Sequence, residues 1–477
     1  MKLQEKLNNI KKQIEAAKHK IIEFKKILVV GHLDADGISS AAIAVKTFQS
    51  LGAKVEFLII KQLDSTKIKA IEKYKCDLIV FVDLGSGQLD ILGDFLQNNK
   101  IIVLDHHRPV DIIHKNLILH LNAHLFGFDG SVEISGSGMT YLFAKYFLEE
   151  DINLEKQIQK LAVIGMMGDM QLKNGAVGLN KIILDWAKKN NVVTIKKDIC
   201  YFGKQTRPVY KLLEYATEPI IPTISFNAEN SKVFVSQIIS QRDKDNFWKR
   251  WIDLNETETQ NITTNIIKLF LKYNNGSSGF KIRQLFCDTY QFTDEAIGTE
   301  YRDVMEFATV LNACGRHNKW KQGVELLLGT CDNLFEISTI LENHRRSLAN
   351  SIEIIKKEKI KKMKNFQIFF AFDKIKSTII GTVAGMALSA RILDPNMPVI
   401  AVSNDEDDAN YFKISSRGTK LMVHNGLKLN YAMNLSKNFN GEGGGHDIAA
   451  GCRLPKNEID NFLIAVEECI SKQLICT

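Results

Sequence analysis

The sequence predicts an α/β fold: a mostly parallel sheet that carries the chemistry, a largely helical insertion, and a smaller α/β unit at the end. Short β-branched runs alternate with helical segments from Ile27 to about Asn190, the pattern of a parallel sheet with helices on both faces. Three of those runs stop on acids or imidazoles. Ile27–Val30 leads into Gly31-His32-Leu33-Asp34-Ala35-Asp36-Gly37, Leu78–Val82 into Asp83, and Ile101–Leu104 into Asp105-His106-His107. In open α/β sheets ligands bind just beyond the carboxyl ends of the strands. From Asn365 a second strand–helix–strand pattern begins, so the expected divisions are 1–190, 191–364 and 365–477.

The 477 residues suffice for two or three domains, and 45% hydrophobic with 25% charged residues describes a globular chain rather than a disordered one. No apolar run reaches membrane-span length, and Met1-Lys2-Leu3-Gln4-Glu5-Lys6 is too charged for a secretory signal. A cytoplasmic protein with no membrane partner is expected. A net charge of +7 suits a polyanionic partner without requiring one. The eight cysteines include no C-x-x-C pair, which argues against a zinc site or disulfide framework.

In chain order, Leu3, Leu7, Ile10, Ile14, Ala17 and Ile21 recur at helical spacing in a lysine-rich segment. A helix from Gly37 turns its free N–H groups towards the acidic loop. Further strands are read at Val55–Ile60 and Leu117–Leu121. The small residues Ser135-Gly136-Ser137-Gly138 start a helix and let a ligand or phosphate approach the backbone. Gln205-Thr206-Arg207-Pro208 and Glu218–Pro222 mark irregular connections into the insertion. Tyr301–Gly315 reads as a helix, and Arg316 and His317 beyond it read as a solvated helix end, with contact to substrate as the alternative. Ser351–Lys364 reads as a basic connector helix. In the last unit, Ile368–Phe372, Val399–Val402 and Tyr411–Arg417 read as strands, with helices at Thr382–Ala390 and Glu458–Gln473.

Asp105-His106-His107, with Asp34-Ala35-Asp36-Gly37 before it and Gly168-Asp169 after it, resembles the DHH phosphoesterase superfamily. Gly443-Gly444-Gly445-His446 followed by Ala449-Ala450-Gly451 resembles the substrate-binding motif of the DHH-associated C-terminal domain. Gly168-Asp169-Met170-Gln171 and Arg207-Pro208 are most similar to archaeal RecJ-like nucleases. The resemblance implies an N-terminal DHH domain, an insertion and a DHH-associated domain. It assigns metal-ligand positions to Asp34, Asp36, Asp83, His106 and Asp169, with Asp83 as the bridge, and puts His107 beside the scissile phosphate. His32, where bacterial RecJ enzymes carry an Asp, is kept as a further ligand. Ser415, Arg417, Gly443, Gly444, Gly445 and His446 become substrate contacts.

Carboxylates mixed with imidazoles suit a pair of divalent ions, manganese first and magnesium as the alternative. No nucleophile-elbow serine or cysteine beside a base is evident. The expected function is a metal-dependent single-strand exonuclease for DNA or RNA, in replication, repair or RNA processing. The alternatives are a phosphodiesterase for short oligonucleotides or cyclic dinucleotides, and a replication scaffold binding the GINS complex through the insertion.

Overall fold

Strands β1 (Lys26–His32), β2 (Lys54–Ile60), β3 (Leu78–Val82), β4 (Lys100–Asp105) and β5 (Leu117–Asn122) form one sheet in the computed structural model. That structure describes residues 3–95, 99–112, 115–148, 151–273 and 278–475. All four pairings are parallel, in the order β2-β1-β3-β4-β5. The alternation of side chains explains why these strands read as unbroken apolar runs. Val29, Val80 and Leu104 face one core, under the helices Ala35–Ser50, Gly136–Phe147 and Ile152–Gly168. Val30, Phe81 and Val103 face the other, under Ser65–Ile71 and Leu89–Phe95. The chain departs from β1 in opposite directions to reach β2 and β3. The switch point therefore lies between β1 and β3, where the His32–Asp36 loop and Asp83 emerge.

The chain divides into two compact units, 1–341 and 342–477. Boundaries read from sequence fall instead after 190 and 364. Two helices counted there with the insertion, Val304–Arg316 and Trp320–Leu328, bury Phe307, Val310, Leu311, Val324 and Leu327 in the first core. What leaves that core is bracketed by an antiparallel pair, β6 (Val193–Ile199) and β7 (Phe286–Phe292). Between these strands the insertion has its own apolar cluster around Leu213, Trp251, Ile262 and Phe270.

A buried acid ties the insertion to the first core. Glu306 accepts hydrogen bonds from the Gln205 backbone N–H at 2.9 Å and the Thr206 hydroxyl at 2.5 Å. Burial, then the neighbouring Asp303, push its carboxyl up to about 7 from an ordinary 4.5. An acid raised by folding contributes stability fully below its unfolded value and loses it as pH rises through the folded one. Glu306→Gln is therefore expected to flatten the fall in stability between about pH 5 and about pH 8, read as the difference between the two proteins in urea unfolding. Parallel losses in both would refute this.

The second unit holds a six-stranded mixed sheet, ordered β12-β13-β11-β10-β9-β8. Its strands are β8 (Lys361–Lys362), β9 (Gln367–Phe372), β10 (Val399–Asn404), β11 (Tyr411–Arg417), β12 (Glu442–Gly445) and β13 (Ala449–Pro455). Two expectations are corrected here. The basic connector helix ends at Lys357, because the turn closed by Met363 N–H to Phe366 O folds Lys361 and Lys362 back as an edge strand on β9. The glycine stretch, whose composition predicts a loop before the last helix, is itself an edge strand paired with β13. No helix among the described residues is long and apolar enough to cross a membrane. Seven cysteines are free thiols, and Cys476 lies outside the described residues.

Candidate metal centre

The His32–Asp36 loop is set by the helix that follows it. Asp34 caps that helix, one carboxylate oxygen accepting from Gly37 N–H at 3.0 Å, the other facing His32 Nδ1 at 2.9 Å. Although burial works the other way, His32 and the Gly37 N–H hold the Asp34 carboxyl well below the usual range. Asp36, in the first turn of that helix and fully buried, accepts from the backbone N–H groups of Gly136 at 2.7 Å and Ser137 at 2.9 Å. Its carboxylate thus sits on the positive end of the helix Gly136–Phe147. A Cβ at Gly136 would meet Asp83 Oδ1 at 2.5 Å, and one at Gly165 would meet Asp36 Oδ1 at 2.3 Å. Both glycines are required by the approach of acids.

Asp83 follows β3 at φ +59, a conformation that non-glycine residues adopt rarely and often at functional sites. It is 2% exposed and lies 3.7 Å from His32 and 3.1 Å from His106. His106 Nδ1 lies 2.6 Å from the Gly130 carbonyl, which can only accept, so this nitrogen carries the proton. Nε2 of a neutral ring then turns a lone pair towards Asp83 Oδ1 at 3.1 Å, Asp169 Oδ2 at 3.3 Å and Asp36 Oδ2 at 3.9 Å. Lone pairs in such proximity require a cation or a proton among them. Burial, then the charges of Asp36 and Asp34, push Asp83 well above its ordinary value. Burial and Asp36 push Asp169 up to about 8. Burial disfavours a charged His106, but Asp83, Asp169 and Asp36 outweigh it and raise its pKa. These are the marks of a site built for positive charge.

Two groups of ligand atoms share no residue, His32 with Asp34 and Asp83, and Asp36 with His106 and Asp169; a third, Asp83 with Asp105, His106 and His107, joins them. Asp83 lies against both of the first two groups, and the carboxylates and imidazoles together suit divalent cations. The six candidate ligands named from sequence are therefore assembled in one place. His107 stands at the rim, 39% exposed. Asp105, prominent in the sequence, is taken up by hydrogen bonds from the backbone of Ser86, His106 and His107 and from His107 Nδ1 at 2.8 Å. It orients His107.

Supporting residues went unread. Asn122 Nδ2 bonds Ser86 Oγ and the His107 carbonyl, Ser86 Oγ meets His120, and Gln171 Nε2 holds the Gly130 carbonyl that fixes His106. Arg316, expected to be solvated, lies close enough to Asp34 for their charges to interact, while burial lowers its pKa. The approach is close because Gly315 touches the loop: a Cβ there would lie 1.6 Å from the Leu33 carbonyl, and Asn312 Oδ1 accepts from Ala35 N–H at 3.1 Å. The run Asn312–Arg316 was the available signal.

In the second unit, Ser415 and Arg417 share one face of β11, over the first turn of the helix Ile380–Ser389, where a Cβ at Gly381 would meet Arg417 Nη2 at 2.3 Å. Gly443 is required by the Met433 carbonyl, 2.1 Å from a Cβ, and Gly445 by a φ of +128. Gly444 faces open space, and His446 sits in the turn joining β12 to β13, its N–H bonded to Ala449 O.

Three family models match: the DHH family N-terminal domain at residues 26–166, the DHH-CID domain at 201–286 and the DHHA1 domain at 364–472. An uncharacterized protein of Methanocaldococcus jannaschii is 33% identical over 479 residues, 99% of this chain and 100% of that protein. The single-stranded-DNA-specific exonuclease RecJ of Bacillus subtilis is 25% identical over 172 residues, 34% of this chain and 21% of RecJ. Among solved structures, RecJ with Mn2+ from Thermus thermophilus aligns at TM-score 0.55 and 17% identity, over 98% of this chain and 55% of that one. CDC45 from Entamoeba histolytica aligns at 0.59 and 14%, over 98% of each. At these identities the two structures share the fold.

Proposed function

Since the chain belongs to the DHH superfamily and is RecJ-like, we propose that this phosphoesterase is a metal-dependent exonuclease acting on single-stranded DNA or RNA. The observation that carries the reading is the gathering of Asp83, Asp169 and Asp36 at 3.1, 3.3 and 3.9 Å from His106 Nε2. His32, Asp34, Asp36, Asp83, His106 and Asp169 would hold two divalent cations, manganese or magnesium. Bound there, such ions lower the pKa of water and neutralise charge on a phosphodiester.

The protein's own groups do the rest. His107, fixed by Asp105 and open to solvent, is placed to donate to a phosphoryl oxygen. Arg316 adds positive charge beside Asp34. Ser415, Arg417, the Gly443–Gly445 strand and His446 are the substrate contacts of the second unit. Their backbone N–H groups and cations suit a phosphate.

The test is digestion of end-labelled single strands of DNA and RNA, with manganese or magnesium, read as product ladders. A strand of about ten nucleotides should be preferred to a dinucleotide by a large factor in kcat/KM. Arg417→Ala should raise KM while calorimetry still shows metal bound. Equal turnover of dinucleotides and long strands would reject the exonuclease and leave a short-oligonucleotide phosphodiesterase.

A further inference from the structure

Within residues 201–286 a row of rings and cations alternates. The Arg207 guanidinium lies between Phe202, 4.7 Å from its ring centre, and Tyr215, at 5.1 Å. Lys211 stands 5.3 Å from Tyr215 and 5.7 Å from Tyr210. Tyr210 meets Trp248 at 4.9 Å with 60° between the planes, and Arg242 covers Trp248 at 4.2 Å.

Neighbouring backbone lifts further rings outward. Asp243 accepts from the N–H groups of Asp245 and Phe247, closing a turn that leaves Phe247, next to Trp248, 71% exposed. Phe226 has φ +64, an outlying conformation for a bulky residue. Its N–H is bonded to the Glu214 carbonyl beside Tyr215. Phe226 is 45% exposed and Tyr215 47%. Exposed aromatic surface that the backbone is strained to present calls for a ligand.

We propose that this row is a track for single-stranded nucleic acid, with bases stacking on the rings and phosphates meeting the cations. Stacking accepts every base because each has a π-face, and a duplex hides those faces. The insertion carries more Lys and Arg than Asp and Glu, as a polyanion requires. Of the acids along the row, Glu214 is paired with Lys211 at 2.8 Å, and Asp243 accepts from the backbone N–H groups of Asp245 and Phe247. Arginine and aromatic rings also occur at protein interfaces, but those interfaces are depleted in lysine, which Lys211 supplies within this row. The track rests on the nuclease reading for its purpose, but binding to it does not depend on cleavage.

The test is fluorescence anisotropy of end-labelled oligo(dT) of about twenty nucleotides, long enough for several stacked bases. The full chain is used in EDTA, so that nothing is cut. Tyr215→Ala and Phe247→Ala, both at exposed positions, should each raise Kd about tenfold, the double variant more, whereas Tyr215→Phe should bind as wild type. Unlabelled oligo(dT) should also quench tryptophan fluorescence in wild type and less in Trp248→Phe. If the double variant binds within about twofold of wild type, the rings serve a protein contact and the track is overturned, even where cleavage is intact. If the chain cuts no nucleic acid yet the ring variants lose oligo(dT), the track stands and the nuclease reading fails.

Discussion

Asp83→Asn is expected to lower kcat/KM on a single-stranded oligonucleotide by about a thousandfold in manganese, without unfolding the protein. The side chain lies against both ligand groups, at 3.7 Å from His32 and 3.1 Å from His106. Asparagine keeps the shape but supplies one neutral oxygen where two charged ones are shared. Because burial and two neighbouring acids push the Asp83 carboxyl upward, removing its charge relieves repulsion in the metal-free protein. Thermal unfolding in EDTA should therefore show Asp83→Asn at least as stable as wild type. A variant that retains more than about a tenth of the wild-type rate would remove Asp83 from the shared position.

Chelation should abolish hydrolysis altogether, and manganese should restore it while raising Tm. A ligand present at about a hundred times its Kd stabilises the folded state by about 2.7 kcal/mol, a shift of several degrees in a scan. The effect arises because cations offset the burial and mutual repulsion that push the Asp83 and Asp169 carboxyls upward. Asp36→Ala removes a ligand that two backbone N–H groups hold in place, and its Tm should no longer respond to manganese. An unchanged Tm in wild type, with activity surviving EDTA, would refute a metal centre at these acids.

Much of this was legible because burial on both faces leaves a plain trace. The interiors of β1, β3 and β4 are apolar and rich in β-branched residues, and each strand stops where chemistry starts. The role of Asp105 was not legible. Its carboxylate is consumed by backbone N–H groups of the next two residues, a matter of local geometry that residue type does not reveal. Arg316 was misplaced for a different reason. A basic residue at a helix terminus is ordinarily solvated, and the packing of Gly315 on the Leu33 carbonyl, 282 positions away in sequence, brings it to Asp34. The basic connector shows the limit of composition: lysines continue past Lys357, but a turn and an edge strand replace the helix.

That contact between Gly315 and Leu33 has a bearing on modularity. All six candidate ligands lie before residue 170, so a fragment ending at 190 would carry the full set of donors. It would lack Asn312, Gly315 and Arg316, which brace the loop holding three of those donors from the far side of the insertion. The catalytic half is thus not a portable cassette. It is a clasp closed by a segment that the chain reaches only after building the insertion, so the centre cannot be completed until that segment has been synthesised and has returned.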